Sequence, residues 1–303
     1  MYSFFHIVLI LLLSPLLPGV INRVKAIVAG RRGQPMLQVY YDLWKLVQKG
    51  AAISRTTTWI FAAGPAITLA AMLAAVLLMP CGSIPSAIRF QGDLILFVYL
   101  FGVARFFTIA AAMDTGSSFE GMGASREAAF SALGEPALIL ALAALARETG
   151  DVSLSGIYAA VSSSLWAASG PALTLVITAL FVVMLAENSR MPVDDPTTHL
   201  ELTMIHEVMV LDHGGPDLAL ITWASSLKLW LFGSLIAGIA VPVGSTSAVT
   251  MLLAHMGGVF LVGVGVGVVE SMMARIRLLR VPQLIAGAGA LALIALLLSF
   301  PMR

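Results

Sequence analysis

Eight apolar stretches, each close to the length of a membrane-crossing helix, recur along the 303-residue chain and constrain its fold more than any other feature. They cover 2–21, 57–79, 94–112, 130–146, 165–186, 218–241, 249–269 and 281–300. An α-helix rises about 1.5 Å per residue, so about twenty residues cross roughly 30 Å of hydrocarbon with every backbone polar group satisfied internally. The pattern predicts an all-α integral membrane protein: eight transmembrane helices in one polytopic membrane domain over 1–303, with no soluble domain. A chain that is 59% hydrophobic and 11% charged agrees. The fourth stretch is the shortest and carries Glu135 and Pro136, so its ends are the least defined.

The first stretch has no basic leader and is followed by Arg23, Lys25, Arg31 and Arg32, which predicts an uncleaved first span. An even number of spans leaves both termini on one side. Basic residues collect on the cytoplasmic side of membrane proteins. Alternate loops here hold Arg23, Lys25, Arg31, Arg32, Lys45, Lys49, Arg55, Arg126, Arg190, Arg275, Arg277 and Arg280, against only Arg89, Arg147 and Arg303 opposite. The termini are therefore expected outside and the loops at 23–55, 113–127 and 187–217 in the cytoplasm. The last of these concentrates the polar chemistry: Glu187, Asp194, Asp195, Glu201, Glu207, Asp212 and Asp217 face a single basic residue, Arg190. Such a segment requires water or a partner protein.

Within the first cytoplasmic loop, 34–49 reads as an amphipathic interfacial helix. Met36, Leu37, Val39, Tyr40, Leu43, Trp44 and Val47 form one face, with Gln38, Asp42, Lys45 and Lys49 on the other. Pro35 can open this helix and Gly50 can end it, and it can lie on lipid or under a neighbouring subunit.

A charged side chain costs at least about 2.5 kcal/mol at the centre of a membrane helix, so the few retained there are candidates for ion or proton pathways. Arg105, Glu135 and Lys228 lie inside predicted spans. Either they form a hydrated track or they are a static buried ion pair. Asp93, at the mouth of the third span, reads as an exposed helix-start residue. Glu270 is followed by Arg275 and Arg277, a spacing compatible with an interfacial ion pair or with a role at the mouth of an acidic cavity.

Several chemistries are excluded or disfavoured. Cys81 is the single cysteine, which allows no internal disulfide and none of the four-thiolate iron–sulfur clusters. His199, His206 and His213 are seven apart, which separates neighbours on a helix by about 10 Å and prevents them sharing one metal. They read as proton-buffering or interface residues. His6 and His255 both fall in the outer half of the membrane, where a bis-histidine haem is conceivable; a single pair makes it a weak reading. The glycines at 263, 265 and 267 lack the strand-to-helix setting of a phosphate loop, and the four-residue spacing of Gly263 and Gly267 predicts close helix packing instead. No nucleic-acid partner is expected of a chain with net charge +1.

Four segments carry a resemblance: GRRGQPMLQVYYDLWKLVQKG at 30–50, ARFFTIAAAMDTGSSFEGMGASREAAFSALGEPAL at 104–138, AENSRMPVDDPTTHLELTMIHEVM at 186–209 and VESMMARIRLLR at 269–280. Together they resemble subunit 1 of respiratory complex I. The likeness is strongest to its relatives in membrane-bound group 4 NiFe hydrogenases and formate hydrogenlyase. The resemblance implies a non-catalytic, eight-helix coupling subunit of a bacterial or archaeal cytoplasmic membrane. It would dock a redox arm and join it to antiporter-like proton-pumping subunits.

The implied partners are the hydrogenase large and small subunits and an iron–sulfur subunit, which would carry the NiFe centre and the clusters; no cofactor is expected on this chain. Glu135, Glu187 and Glu201 would correspond to the family's polar path, with Lys228, Arg105 and Glu270 beside it. Arg126, Arg190, Asp194, Asp195, His199 and Glu207 would lie at the dock. Complex I chains tend to read PEAESE where this one reads PTTHLE, so Thr197 and His199 replace two acids near the quinone chamber while Glu201 remains. That departure favours a hydrogenase module over quinone chemistry. A quinone-site subunit of a complex-I-like dehydrogenase and an independent ion-coupled transporter are the alternatives.

Overall fold

The computed structural model describes residues 2–54, 56–194, 204–242, 244 and 247–300. Its helices are α1 (Tyr2–Leu13), α2 (Leu16–Val28), α3 (Gln38–Val47), α4 (Trp59–Leu78), α5 (Asp93–Asp114), α6 (Ser118–Thr149), α7 (Leu154–Ala160), α8 (Ser163–Glu187), α9 (His206–Met209), α10 (Gly215–Ala240), α11 (Ala248–Met272) and α12 (Val281–Leu298). No strand is present among the described residues; an isolated bridge joins Cys81 and Ile84. The fold is all-α and membrane-spanning, as the hydropathy predicts.

Seven of the spans are single helices, formed by α4, α5, α6, α8, α10, α11 and α12, and an eighth is obtained if α1 and α2 count as one. Those two are bent by 48° at the break between Leu13 and Leu16. Pro15 supplies the cause: it has no backbone N–H and its ring clashes with the carbonyl four residues earlier. The continuous first span expected over 2–21 is thus a broken one.

The largest correction concerns the fourth span, expected at 130–146. Helix α6 runs for 32 residues, about 48 Å at the usual rise, and absorbs most of the loop expected at 113–127. Pro136 lies within it. A helix crossing lipid has no alternative donors for its carbonyls, so it continues through a proline that would end a helix in water. The first turns of α6 pack on α9, with Gly123 against Val208 and the Ile205 carbonyl.

Helix α10 is the most enclosed of the spans and contacts α3, α4, α8 and α11. Its Trp230 and Phe232 are fully buried with Tyr158, Phe97 and Phe101. Large apolar residues cover the outside, including Phe4, Trp59 and Leu261, each at least 70% exposed, as expected for a surface solvated by hydrocarbon. The Gly263 and Gly267 spacing works as predicted: α11 lies directly on α2, with Leu17 against Gly263 and Val24 against Gly267.

Helix α3 is shorter than the 34–49 read from the sequence. Pro35 precedes it, its carbonyl accepting from the Gln38 N–H at 3.1 Å, and Gln48 rather than Gly50 ends it. The helix lies against α2 and α10, tied by a hydrogen bond from the Tyr40 hydroxyl to the Leu12 carbonyl, while Trp44 stays 70% exposed.

Candidate functional site

Arg105 projects from the middle of α5 into the interior of the bundle, where only 7% of it is accessible. A guanidinium at such a position is stable only with several acceptors. It has them from two helices. Its Nη1 donates to Glu135 of α6 and its Nη2 to Glu187 at the end of α8. Glu127, two turns before Glu135, places Oε1 at 3.3 Å from Nε, a close coulombic contact without hydrogen-bond alignment.

Lys228 of α10 completes the cluster. Its Nζ lies 2.8 Å from Glu187 Oε2 and also donates to the Glu187 backbone carbonyl at 2.7 Å. The second bond places a cation on the C-terminus of α8, where helix carbonyls lack partners and the helix dipole is negative. Arg105 and Lys228 therefore face Glu127, Glu135 and Glu187. His206 Nε2 lies 3.6 Å from Glu127 Oε2 and borders this cluster as a sixth ionisable side chain.

All of these side chains except Glu135 line a cavity of about 290 Å³. Arg105, Glu127, Glu187, His206, Glu207 and Lys228 make its polar wall; Val39 of α3, Met72, Leu218, Ile221 and Leu229 make its apolar one. The arrangement can hold a shared charge out of bulk water and respond to a nearby proton or charge. Among the described residues it presents no nucleophile paired with a base.

A second cluster sits at the foot of α11. The buried Glu270 carboxylate is 2.9 Å from Lys25 Nζ and 3.5 Å from Arg190 Nη1. Of the two readings left open for Glu270, an ion pair forms, but with Lys25 and Arg190; among the described residues neither Arg275 nor Arg277 pairs with it. Helix α11 stops at Met272, and the Ile276 N–H bonds the Pro192 carbonyl at 3.0 Å, drawing the chain across to the 190–194 segment. Arg275 consequently pairs with Asp194 at 2.8 Å. Asp194 is itself buried and accepts from the Ile205 N–H at 3.0 Å, so it ties Ile205 and, through Arg275, the segment after α11 to one carboxylate.

Of the residues singled out by sequence, Arg105, Glu135, Glu187 and Lys228 converge on one point, and Glu270 joins Arg190 at another. Arg126 donates to the Met204 carbonyl at 2.8 Å, and Glu207 borders the cavity. Asp195, His199 and Glu201 lie outside the described residues.

Sequence reasoning missed Glu127, His206 and Lys25 as members. Glu127 was hidden by the reading of 113–127 as loop; an uninterrupted helical run from Ser118 was the available signal. Asp93 is fully buried, not exposed, and binds the Ser153 hydroxyl at 2.8 Å and the Leu154 N–H at 2.7 Å, capping α7. His213 is buried and stacked on Phe61 with centroids 3.9 Å apart. Its pKa is lowered by burial, against smaller upward effects from Asp217 and Asp212. His6 and His255 touch edge to face, 5.9 Å between centroids.

A family model described as NADH dehydrogenase matches residues 2–300. The chain is 31% identical over 296 residues to formate hydrogenlyase subunit 4 of Escherichia coli, covering 95% of each chain. It is 30% identical over 280 residues to hydrogenase-4 component C of the same organism, covering 90% of this chain and 87% of the relative. Its fold superposes with a TM-score of 0.85 on a chain of the membrane-bound sulfane sulfur reductase, an archaeal respiratory membrane complex. The identity there is 22%, over 99% of this chain and 100% of that one.

Proposed function

Because the chain belongs to the NADH dehydrogenase family, matched over residues 2–300, we propose that it is a membrane subunit of a membrane-bound hydrogenase or formate hydrogenlyase complex. Its role is to link electron transfer in partner subunits to the movement of protons or another cation. Cytoplasmic NiFe and iron–sulfur subunits are the donors, and antiporter-like membrane subunits are the recipients. The acidic segment from Glu187 onward faces those donors from the cytoplasmic side.

One observation carries this reading. Arg105 is held between carboxylates of α6 and α8, and Lys228 ties the same Glu187 to α10, so the charges of these helices form one unit. A change of charge at the acidic segment reaches that unit through Glu127 and His206, since removing or adding one charge in a low-dielectric site shifts every partner.

Affinity purification of the tagged chain from its native membranes in mild detergent tests the assignment. Co-isolation of nickel-containing and iron–sulfur subunits with hydrogen-dependent activity is expected. A chain recovered alone, stable and without them overturns it.

A second reading rests on the cavity, whose apolar wall includes Val39 of the surface helix α3 and whose polar wall includes His206. Such a lining suits a quinone headgroup and tail. It predicts that activity of the native complex fails in quinone-depleted membranes, whereas the hydrogenase reading predicts that activity persists.

A further inference from the structure

At the opposite end of α11 from Glu270, about 22 Å along the helix, three metal-ligating side chains meet in an apolar setting. They are His6 of α1, Cys81 in the turn after α4, and His255 of α11, with 2%, 0% and 1% accessibility. One ligand-type atom from each lies within 4.8 Å of the other two. The Nε2 atoms of both histidines are buried with no hydrogen-bond partner among the described residues. A buried nitrogen left without a partner is unfavourable, and two of them in a cluster with one thiol make a donor set in search of an acceptor.

The turn that carries Cys81 is built to present it. Cys81 and Ile84 exchange both backbone hydrogen bonds, at 3.0 and 2.9 Å, which fixes the thiol's origin. Gly82 follows at φ +56, a left-handed conformation that side chains disfavour. A Cβ there would lie 2.6 Å from the Met251 sulfur, so the glycine also lets a thioether close over the turn. Met251 is one helical turn before His255 and is itself buried.

We propose that His6, Cys81 and His255 bind a single Cu(I) ion. The charge decides the metal. One thiolate and two neutral imidazoles around Cu(I) give an electroneutral site, while Zn(II) would leave a net positive charge in a medium where an uncompensated charge costs many kcal/mol. Coordination number agrees, because structural zinc takes four ligands and this cluster supplies three, with a soft thioether close by. The ligand atoms need to draw together by on the order of 1 Å to reach bonding distances of about 2.0–2.3 Å.

Binding replaces the S–H bond of Cys81 by a sulfur–copper bond and releases one proton to bulk water; no electron moves.

The test uses the native complex solubilised in detergent and titrated anaerobically with Cu(I) against a chromophoric chelator. One tightly held equivalent is expected, with X-ray absorption reporting sulfur and nitrogen neighbours. Cys81→Ser and His255→Gln are each expected to weaken retention at least 100-fold while subunit composition on native gels stays unchanged. Absence of a retained equivalent, a copper spectrum without sulfur, full retention by Cys81→Ser, or preference for Zn(II) each overturns the proposal. The wild-type spectrum stands without any variant, so misfolding of a substituted chain does not blunt the result.

Discussion

Arg105 and Glu187 stand 82 positions apart in sequence and bond to each other inside the bundle, both almost inaccessible to solvent. Replacing one partner of a buried ion pair strands the other, at a typical cost of about 3–5 kcal/mol. Glu187→Gln removes the carboxylate that Arg105 and Lys228 share, leaving Arg105 with Glu135 and Glu127 and Lys228 with the backbone carbonyl, so a fall in thermal stability of the detergent-solubilised protein is expected. The double variant Arg105→Gln with Glu187→Gln should be less destabilised than the sum of the singles, by about 0.5–3 kcal/mol. Additive losses would remove the pairing from the account.

Glu135 bonds the same guanidinium, but its side chain is 42% exposed where that of Glu187 is 6%. Glutamine keeps an amide oxygen that can accept from Arg105 Nη1, and Arg105 retains Glu187 and Glu127. Glu135→Gln is thus expected to assemble normally. Under the proposed coupling role it lowers ion translocation per electron, measured as hydrogen- or formate-driven acidification of inverted vesicles. Undiminished translocation in a fully assembled variant would exclude Glu135 from the coupling path.

His213 titrates below its ordinary value because it is buried against Phe61. A histidine depressed in the folded state leaves the unfolded chain binding more protons, so its contribution is present above the unfolded pKa of about 6.5 and is lost as pH falls from there through the lowered folded value. The α9–α10 connection is expected to loosen as pH falls below about 6.5, seen as faster backbone hydrogen exchange around 210–217 after correction for intrinsic rates. His213→Phe, which keeps the stack without the ionisation, should flatten that dependence.

Gly263 and Gly267 should respond differently to alanine. At Gly263 the new methyl meets Leu17 Cδ1 at 2.6 Å, the end of a side chain that can move. At Gly267 it meets the branched Cβ of Val24 at 2.8 Å and the Ile21 carbonyl oxygen at 3.1 Å, neither of which can. Overpacking of that kind costs about 1–3 kcal/mol, more than the roughly 0.5–1 kcal/mol that alanine gains over glycine in a helix. Gly267→Ala is therefore expected to destabilise and Gly263→Ala to be close to neutral, as read by thermal unfolding.

How much of the site was legible differs residue by residue. Arg105, Glu135 and Lys228 stood out because charge inside an apolar run is costly wherever its partner lies. Their partners did not, since Glu127 sat in what read as a loop, and the polar residues around it masked the continuation of α6. The partners of Glu270, Lys25 and Arg190, were hidden for a related reason. Spacing along the chain measures distance only while a helix lasts, and α11 ends at Met272, before Arg275. Pro15 was visible, yet a hydropathy window averages across it, and the 48° bend appears only in the backbone.

Hydropathy dictates that this chain crosses lipid as helices, because no other backbone arrangement satisfies its own polar groups there over about twenty residues. Glycine spacing dictates that α11 has a face on which another helix can lie closely, since the missing side chains leave that groove whatever fills it. Which charge meets which depends on helix rotation and crossing in three dimensions. The contacts that join Arg105, Glu187 and Lys228, and those that gather His6, Cys81 and His255, arise from packing of segments distant in sequence, and only the folded bundle decides them.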